Sequence, residues 1–153
     1  MVGFTPLALW LLAQATAWPR DSPDAGPAGR CDDCRVAWTV LIVDDHAEFR
    51  AGARALLEVD GFDVLGEAPD GESALEAARR LRPQVVLLDV QLPGMDGFAV
   101  ADRLAAGDRP PIVVLTSSRA PDAFRRRLRA AASVRGFIAK AELSGECLSA
   151  LLT

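Results

Sequence analysis

Short apolar runs alternate with segments of helical periodicity from Ala37 to the end of the chain. The apolar runs predict five strands, over residues 38–43, 62–68, 85–88, 111–115 and 136–139. This alternation predicts an α/β fold, a doubly wound five-stranded parallel sheet with helices on both faces. The third run is the most hydrophobic and is predicted to be central, whereas the second is more polar and is predicted near a sheet edge.

Helical spacing predicts five helices, one after each strand. The first helix ends near Gly61, and its apolar face consists of Phe49, Ala53, Leu56 and Leu57. The second covers residues 72–82, with Asp70 as its cap and Ala74, Ala78 and Leu81 facing inward. The others are predicted over residues 98–106, 122–132 and 144–152, the fourth with an arginine-rich face and the fifth short.

Residues 1–36 differ in composition from the rest of the chain. Residues 4–13 are mostly apolar and precede Ala15-Thr16-Ala17, a pattern typical of a secretory signal, but no basic residue comes first. The stretch is too short to span a bilayer, and residues 19–30 are rich in Pro, Gly and Asp. We therefore expect a disordered or signal-like extension over residues 1–36, or a start codon placed too far upstream, and one domain over residues 37–153.

Composition narrows the class of protein. Half of the 153 residues are apolar and a quarter are charged, as in a soluble globular protein. The net charge of −4 offers no basic field, so direct nucleic-acid binding is not expected. No membrane association is predicted, and the expected location is cytoplasmic. Cys31 and Cys34 form a C-x-x-C that has no second pair of ligands for zinc.

Charged and hydroxyl residues follow four of the predicted strands. Asp44 and Asp45 end the first run, Asp89 the third, Thr116 the fourth, and Lys140 the fifth. Lys140 is the only lysine, and the other sixteen basic residues are arginine. Because ligands bind at the carboxyl ends of the strands in a doubly wound sheet, we expect these five residues to form one site.

These residue types suit phosphoryl transfer. Clustered carboxylates attract a hard cation such as Mg²⁺. Asp89 has the features of a nucleophile that forms an acyl phosphate. The ammonium of Lys140 and the hydroxyl of Thr116 can neutralise the negative charge of a phosphoryl group. His46, the sole histidine, is predicted in the first turn of an exposed helix without a chemical role.

The combined motifs resemble the receiver domain of two-component response regulators. They are Leu41-Ile42-Val43-Asp44-Asp45, Asp89 followed by Pro93-Gly94-Met95-Asp96-Gly97, Leu115-Thr116-Ser117, and Gly136-Phe137-Ile138-Ala139-Lys140. The resemblance covers residues 37–153 and implies the flavodoxin-like strand order 2-1-3-4-5. It also implies a signalling phosphoacceptor rather than an enzyme, with self-phosphorylating and autodephosphorylating activity only.

The resemblance further implies a role for each matching residue. Asp89 would be the phosphoacceptor, and Asp44, Asp45, Asp89 and the backbone carbonyl of Gln91 would hold Mg²⁺. Lys140 would pair with the phosphoryl group, and Thr116 and Phe137 would be switch residues. The phosphoryl donor would be a histidine kinase or a phosphotransfer protein, the downstream target is not specified, and a homodimer could form on phosphorylation.

Three alternatives stay open. Ala141 replaces a proline common after the lysine, and residues 140–144 are similar to receivers of regulators with a helix-turn-helix output domain. The chain could therefore be the front part of a DNA-binding transcriptional regulator that lacks its helix-turn-helix domain. It could also be a binding module that works without phosphorylation. A phosphatase of the haloacid-dehalogenase-like class would need an acid where Gln91 stands.

Overall fold

The computed structural model describes residues 37–153. The predictions for residues 1–36, including the signal-like stretch and the Cys31/Cys34 pair, lie outside that range. The strands are β1 (Thr39–Val43), β2 (Asp63–Ala68), β3 (Val85–Asp89), β4 (Ile112–Ser117) and β5 (Gly136–Ala139). The α-helices are α1 (Ala47–Val59), α2 (Gly71–Leu81), α3 (Gly97–Ala105), α4 (Arg125–Ala130) and α5 (Gly145–Leu152). Of these five helices, none has the length and apolar character to cross a membrane.

The five strands form one parallel sheet in the order β2-β1-β3-β4-β5. This order confirms the predicted fold, including the edge position of β2 and the central position of β3. The register pairs Val43 with Leu88 and Asp89 with Thr116, so the ends of the inner strands lie side by side.

Continuous apolar strands arise because both faces of the sheet are covered. In β1, Leu41 and Val43 pack in one core beneath α2 and α3, whereas Val40 and Ile42 pack in a second core beneath α1 and α5. All four side chains are almost fully buried. The alternation of side chains along a strand therefore supplies two cores from one uninterrupted run.

In α1, the prediction that Leu56 faces inward is wrong. Ala53 and Leu57, four residues apart, are buried against the sheet, and Phe49 packs at the edge of the same core. Leu56 is 37% exposed. Adjacent residues differ by about 100° around a helix, which turns Leu56 away from the face that Leu57 defines.

In α2, the predicted cap is confirmed, since the Asp70 side chain accepts a hydrogen bond of 2.8 Å from the Ser73 amide. Ala74 is buried as predicted. Ala77, which was not predicted, is buried more deeply than Ala78. Small residues at this face let the helix approach the sheet closely.

The predicted helix over residues 122–132 is shorter and divided. A 3₁₀ turn (Pro121–Phe124) precedes α4, which has only six residues and contributes no fully buried side chain. Phe124 is buried, and Leu128 is the one residue of α4 that packs at the core. Because tertiary packing supplies most helix stability, a segment rich in exposed arginines extends little further.

Candidate functional site

Three polar residues at neighbouring strand ends are almost completely buried. Asp44 directly after β1, Asp89 at the end of β3 and Thr116 in β4 are 0%, 3% and 1% exposed. Lys140 follows β5, and its Nζ atom lies 2.5 Å from Asp44 Oδ2 and 3.0 Å from Asp89 Oδ2. The sheet thus brings together residues that the sequence separates by up to 96 positions, counting from 44 to 140.

The loop after Asp89 is held tightly against the sheet. Asp89 Oδ1 accepts a hydrogen bond of 3.1 Å from the Gln91 amide, and the Val90 amide donates to the Thr116 carbonyl at 2.9 Å. The Gly97 amide then donates to the Val90 carbonyl at 2.9 Å. A Cβ atom at Gly97 would lie 2.3 Å from the Asp89 carbonyl oxygen, so only glycine fits there. The first turn of α3 therefore fixes the backbone of Asp89.

The carboxylates of Asp44, Asp45 and Asp89 form an acidic cluster at the strand ends. His46 contacts this cluster, and the contact was not predicted from the sequence. Its Nδ1 atom lies 3.1 Å from Asp44 Oδ1 and 2.8 Å from Asp45 Oδ1. The His46 amide also donates to Asp44 Oδ1 at 2.8 Å. The sequence did carry one indication of this contact, because His46 lies two residues after Asp44. An aspartate side chain commonly accepts a hydrogen bond from the amide two residues further along the chain.

Arg50 is a second contact that sequence reasoning missed. Its guanidinium donates to the backbone carbonyl of Asp44 at 2.6 Å and to Glu67 at 3.2 Å. Glu67 also accepts from Arg54 at 2.7 Å. The hydrogen bond from Arg54, outweighing burial and aided by Arg50, lowers the pKa of Glu67. This network ties α1 and the edge strand β2 to the backbone at the acidic cluster.

The electrostatics of the pair Asp89 and Lys140 follow from burial and contact. Burial raises the pKa of Asp89, more than the hydrogen bonds from Gln91 and Lys140 lower it, and the charge of Asp44 adds to the increase. Burial acts to lower the pKa of Lys140, but hydrogen bonds to Asp44 and Asp89 outweigh it and raise that pKa. With three aspartates ionised and one lysine protonated, the cluster carries a formal charge of −2.

The donor set fits a divalent cation. Ligand atoms of Asp44, Asp45, His46 and Asp89 all lie within 4.8 Å of one another. Asp44 Oδ2 is met by the Lys140 ammonium, whereas the Thr116 hydroxyl oxygen Oγ1 has no hydrogen-bond partner within residues 37–153. Clustered carboxylate oxygens with excess negative charge are the ligands that hard cations prefer.

Phe137 belongs to a group of aromatic side chains in the core. It packs at the core beneath α2 and α3, with its ring centroid 6.3 Å from that of Phe124. Phe124 in turn lies 6.4 Å from Phe98, and the Arg127 guanidinium lies 4.1 Å from the centroid of Phe98. Three aromatic rings therefore connect β5, the turn before α4 and the start of α3.

Residues 40–151 match the family model of the response regulator receiver domain. The chain therefore belongs to this family, the receiver domains of two-component response regulators, which are signalling phosphoacceptors. The predicted family, and with it the predicted class of function as a receiver domain, is confirmed.

Named relatives are similar over the same region. The chain is 37% identical over 113 residues to the response regulator GacA of Pseudomonas viridiflava, covering 73% of this chain and 52% of the relative. It is 37% identical over 111 residues to BvgA of Bordetella pertussis, covering 72% and 53%. The chain thus spans about half the length of these curated relatives.

Solved structures share the fold. A LuxR-family two-component response regulator from Aurantimonas sp. SI85-9A1 has a TM-score of 0.67 at 26% identity, over 76% of this chain and 86% of that one. The signal receiver domain of a modulated diguanylate cyclase from Desulfovibrio desulfuricans G20 has a TM-score of 0.64 at 35% identity, over 76% and 90%.

Proposed function

We propose that Asp89 accepts a phosphoryl group from a histidine kinase or a phosphotransfer protein and that the resulting charge changes the position of α4. The observation that carries the proposal is the pairing of a buried, strand-end carboxylate with the only lysine of the chain. Burial costs a carboxylate much of its hydration, and a structural aspartate would gain little from that position. A carboxylate that must be reached by a phosphoryl group benefits from a dry, preorganised surrounding.

Magnesium is the cofactor that fits this site. Asp44, Asp45, Asp89 and the backbone carbonyl of Gln91 would hold it, with the excess negative charge as the electrostatic reason. When bound, the ion would neutralise oxygens of the phosphoryl group and keep Asp89 ionised against the effect of burial.

The transfer needs one bond to form and one to break. An Asp89 carboxylate oxygen attacks phosphorus, and the bond from phosphorus to the donor's imidazole nitrogen breaks, with its electron pair going to that nitrogen. The Lys140 ammonium donates a hydrogen bond to Asp89 Oδ2 in this structure, and after the transfer it would donate to the phosphoryl oxygens instead. Thr116 Oγ1, which has no partner within residues 37–153, is free to donate a hydrogen bond to them.

The proposed switch involves Thr116 and Phe137. Moving Thr116 towards the phosphoryl group would open space near the buried ends of β4 and β5. Phe137, packed with Phe124 just before α4, would move into it and carry α4 along. Phosphorylation would thereby shift the population between two positions of α4, which is the surface where a downstream target, or a second copy of the chain, would bind.

Intact-protein mass after incubation with acetyl phosphate and Mg²⁺ tests the proposal. We expect a single phosphoryl adduct on the wild type, and no adduct on Asp89→Asn or when a chelator removes Mg²⁺. Asp108→Asn, a change at an exposed loop, is the matched control and should be modified like the wild type. A folded wild-type protein without an adduct would instead support a binding module that works without phosphorylation.

A second candidate is that this receiver belongs to a DNA-binding transcriptional regulator. The supporting observation is that the chain spans only 53% of BvgA, a relative named as a positive transcription regulator. Sequencing the reading frame beyond Thr153 decides whether a helix-turn-helix follows. In either case the cytoplasm is the compartment where an ATP-dependent kinase could supply the phosphoryl group.

A further inference from the structure

The His46 imidazole lies against two carboxylates of the acidic cluster. Its Nδ1 atom lies 2.8 Å from Asp45 Oδ1 and 3.1 Å from Asp44 Oδ1, and both distances suit either a hydrogen bond or a shared ion. The imidazole is 69% exposed, so it closes the outer side of the cluster without being packed in place. The metal ligands proposed above are all oxygen atoms, and His46 would add a nitrogen.

The buried side of the same cluster holds a hydroxyl group without a hydrogen-bond partner among the described residues. Thr116 Oγ1 has no hydrogen-bond partner within residues 37–153, and the residue is 1% exposed. Because Thr116 pairs with Asp89 across adjacent parallel strands, the two side chains leave the sheet on the same face. An unpaired, buried hydroxyl beside clustered carboxylates is costly unless a ligand occupies the site.

We propose that His46 Nδ1 is an additional metal ligand, which raises the affinity of this site for borderline divalent ions such as Co²⁺ and Zn²⁺ relative to its affinity for Mg²⁺. Mg²⁺ binds oxygen ligands and retains several waters, so it gains little from an imidazole. Co²⁺ and Zn²⁺ bind imidazole nitrogen well and bind a mixed nitrogen and oxygen set more tightly. The inference rests on the proposed metal site, because Asp44, Asp45 and Asp89 supply the remaining ligands.

The single histidine allows a direct measurement. In the full chain labelled with ¹⁵N, the imidazole spectrum contains His46 alone. The experiment uses a Cys31→Ser, Cys34→Ser, Cys147→Ser background, because thiolates would otherwise bind Zn²⁺. Adding Zn²⁺ should shift the Nδ1 resonance strongly, whereas saturating Mg²⁺ should leave its chemical shift near that of imidazole hydrogen-bonded to carboxylate.

Calorimetric titration then measures selectivity. We expect His46→Gln to lower the ratio of Co²⁺ to Mg²⁺ affinity about tenfold or more, as loss of a contributing ligand should. Glu48→Gln, an exposed acid two residues along on α1, is the matched control and should leave the ratio unchanged. Asp44→Asn should weaken the binding of both ions.

Three outcomes would overturn the proposal. They are an Nδ1 resonance insensitive to Zn²⁺, an unchanged affinity ratio in His46→Gln, or an equal loss for both ions, which would make His46 a structural residue only. Failure here is separate from failure of the proposed function, because the Mg²⁺-dependent adduct on Asp89 is measured independently with the wild-type chain.

Discussion

Lys140 Nζ lies 3.0 Å from Asp89 Oδ2, although the two residues are 51 positions apart in the chain. The contact joins the end of β3 to the end of β5 across the intervening strand β4. Lys140 also lies against Asp44, so one ammonium compensates two buried carboxylates. The structure therefore makes the stability of the domain depend on the residues proposed for phosphoryl transfer.

Replacing Lys140 by methionine should destabilise the domain in the absence of divalent metal. The Lys140 side chain is 12% exposed, and its removal leaves Asp44 and Asp89 buried without their counter-ion. We expect a loss of about 2–4 kcal/mol in the free energy of unfolding, measured by urea denaturation in a chelating buffer. Lys140→Arg, which keeps the charge, should lose less. Equal midpoints for the wild type and Lys140→Met would contradict the ion pairing.

Replacing Asp89 by asparagine should stabilise the metal-free domain at neutral pH. Burial raises the pKa of Asp89 in the folded state above its unfolded value of about 3.9. The folded state therefore holds the proton more tightly, and stability is lost as pH rises from the unfolded pKa through the folded pKa. Asparagine does not ionise, so Asp89→Asn does not lose this stability at neutral pH. At pH values below the unfolded pKa the advantage should disappear.

This pH dependence is measured by urea denaturation at several pH values in a chelating buffer, with Asp108→Asn as an exposed control. Asp108→Asn should follow the wild type at every pH. A lower stability of Asp89→Asn at neutral pH would show that the contact with Lys140 outweighs the burial of the carboxylate. Adding Mg²⁺ should then stabilise the wild type more than Asp89→Asn.

Arg127 should restrain α4. Its guanidinium lies 4.1 Å from the centroid of Phe98 and donates to Asp96 at 2.7 Å, which ties α4 to the first turn of α3. A cation–π contact and an exposed ion pair together contribute about 1 kcal/mol. Arg127→Ala should therefore speed hydrogen exchange at the amides of residues 125–130 by about fivefold.

Arg126→Ala is the matched control, since Arg126 is exposed and makes no ion pair within the described range 37–153. Its exchange rates should resemble those of the wild type. If both variants exchange alike, Arg127 does not hold α4. If α4 moves on phosphorylation as proposed, Arg127→Ala should also accept phosphoryl groups from acetyl phosphate faster.

Two glycine-to-alanine variants should have opposite effects. A Cβ atom at Gly97 would lie 2.3 Å from the Asp89 carbonyl oxygen, so Gly97→Ala must displace the Asp89 loop or α3. We expect a loss of about 2–4 kcal/mol in the free energy of unfolding, together with weaker phosphorylation. Gly52 lies within α1, and a Cβ atom there would meet nothing within 4 Å beyond its own helix, so Gly52→Ala should add about 0.5–1 kcal/mol. Thermal unfolding should therefore show a lower midpoint temperature for Gly97→Ala and a higher one for Gly52→Ala than for the wild type.

The strand ends show how much of the site was readable from sequence. Asp44, Asp89 and Lys140 each follow an apolar run, and the rule that parallel strands present their carboxyl ends together placed them at one site. The structure brings these three into contact. The chemical roles proposed for these three residues, and for Asp45, Gln91, Thr116 and Phe137, stay predictions, because they depend on a bound Mg²⁺ ion or a phosphoryl group.

His46 and Arg50 show where local pattern failed. The sequence predicted His46 only as a residue in the first turn of an exposed helix, and it gave no indication for Arg50. In the structure, His46 is the N-cap of α1 and Arg50 lies in its first turn. Their contacts with Asp44 depend on the angle at which α1 leaves β1 and on the position of Glu67 in the neighbouring strand. Such angles are set by packing across the whole sheet, and the hydrophobic periodicity of a sequence carries no information about them.

The sequence by itself determined the element order, the two-faced burial of the sheet and the set of strand-end carboxylates, because hydrophobic period and turn chemistry act over a few residues. Tertiary structure alone decided the length of α4 and the contacts of His46 and Arg127. Each of these depends on how far a side chain lies from a neighbour distant in the chain, and that distance follows from the packing of the two cores.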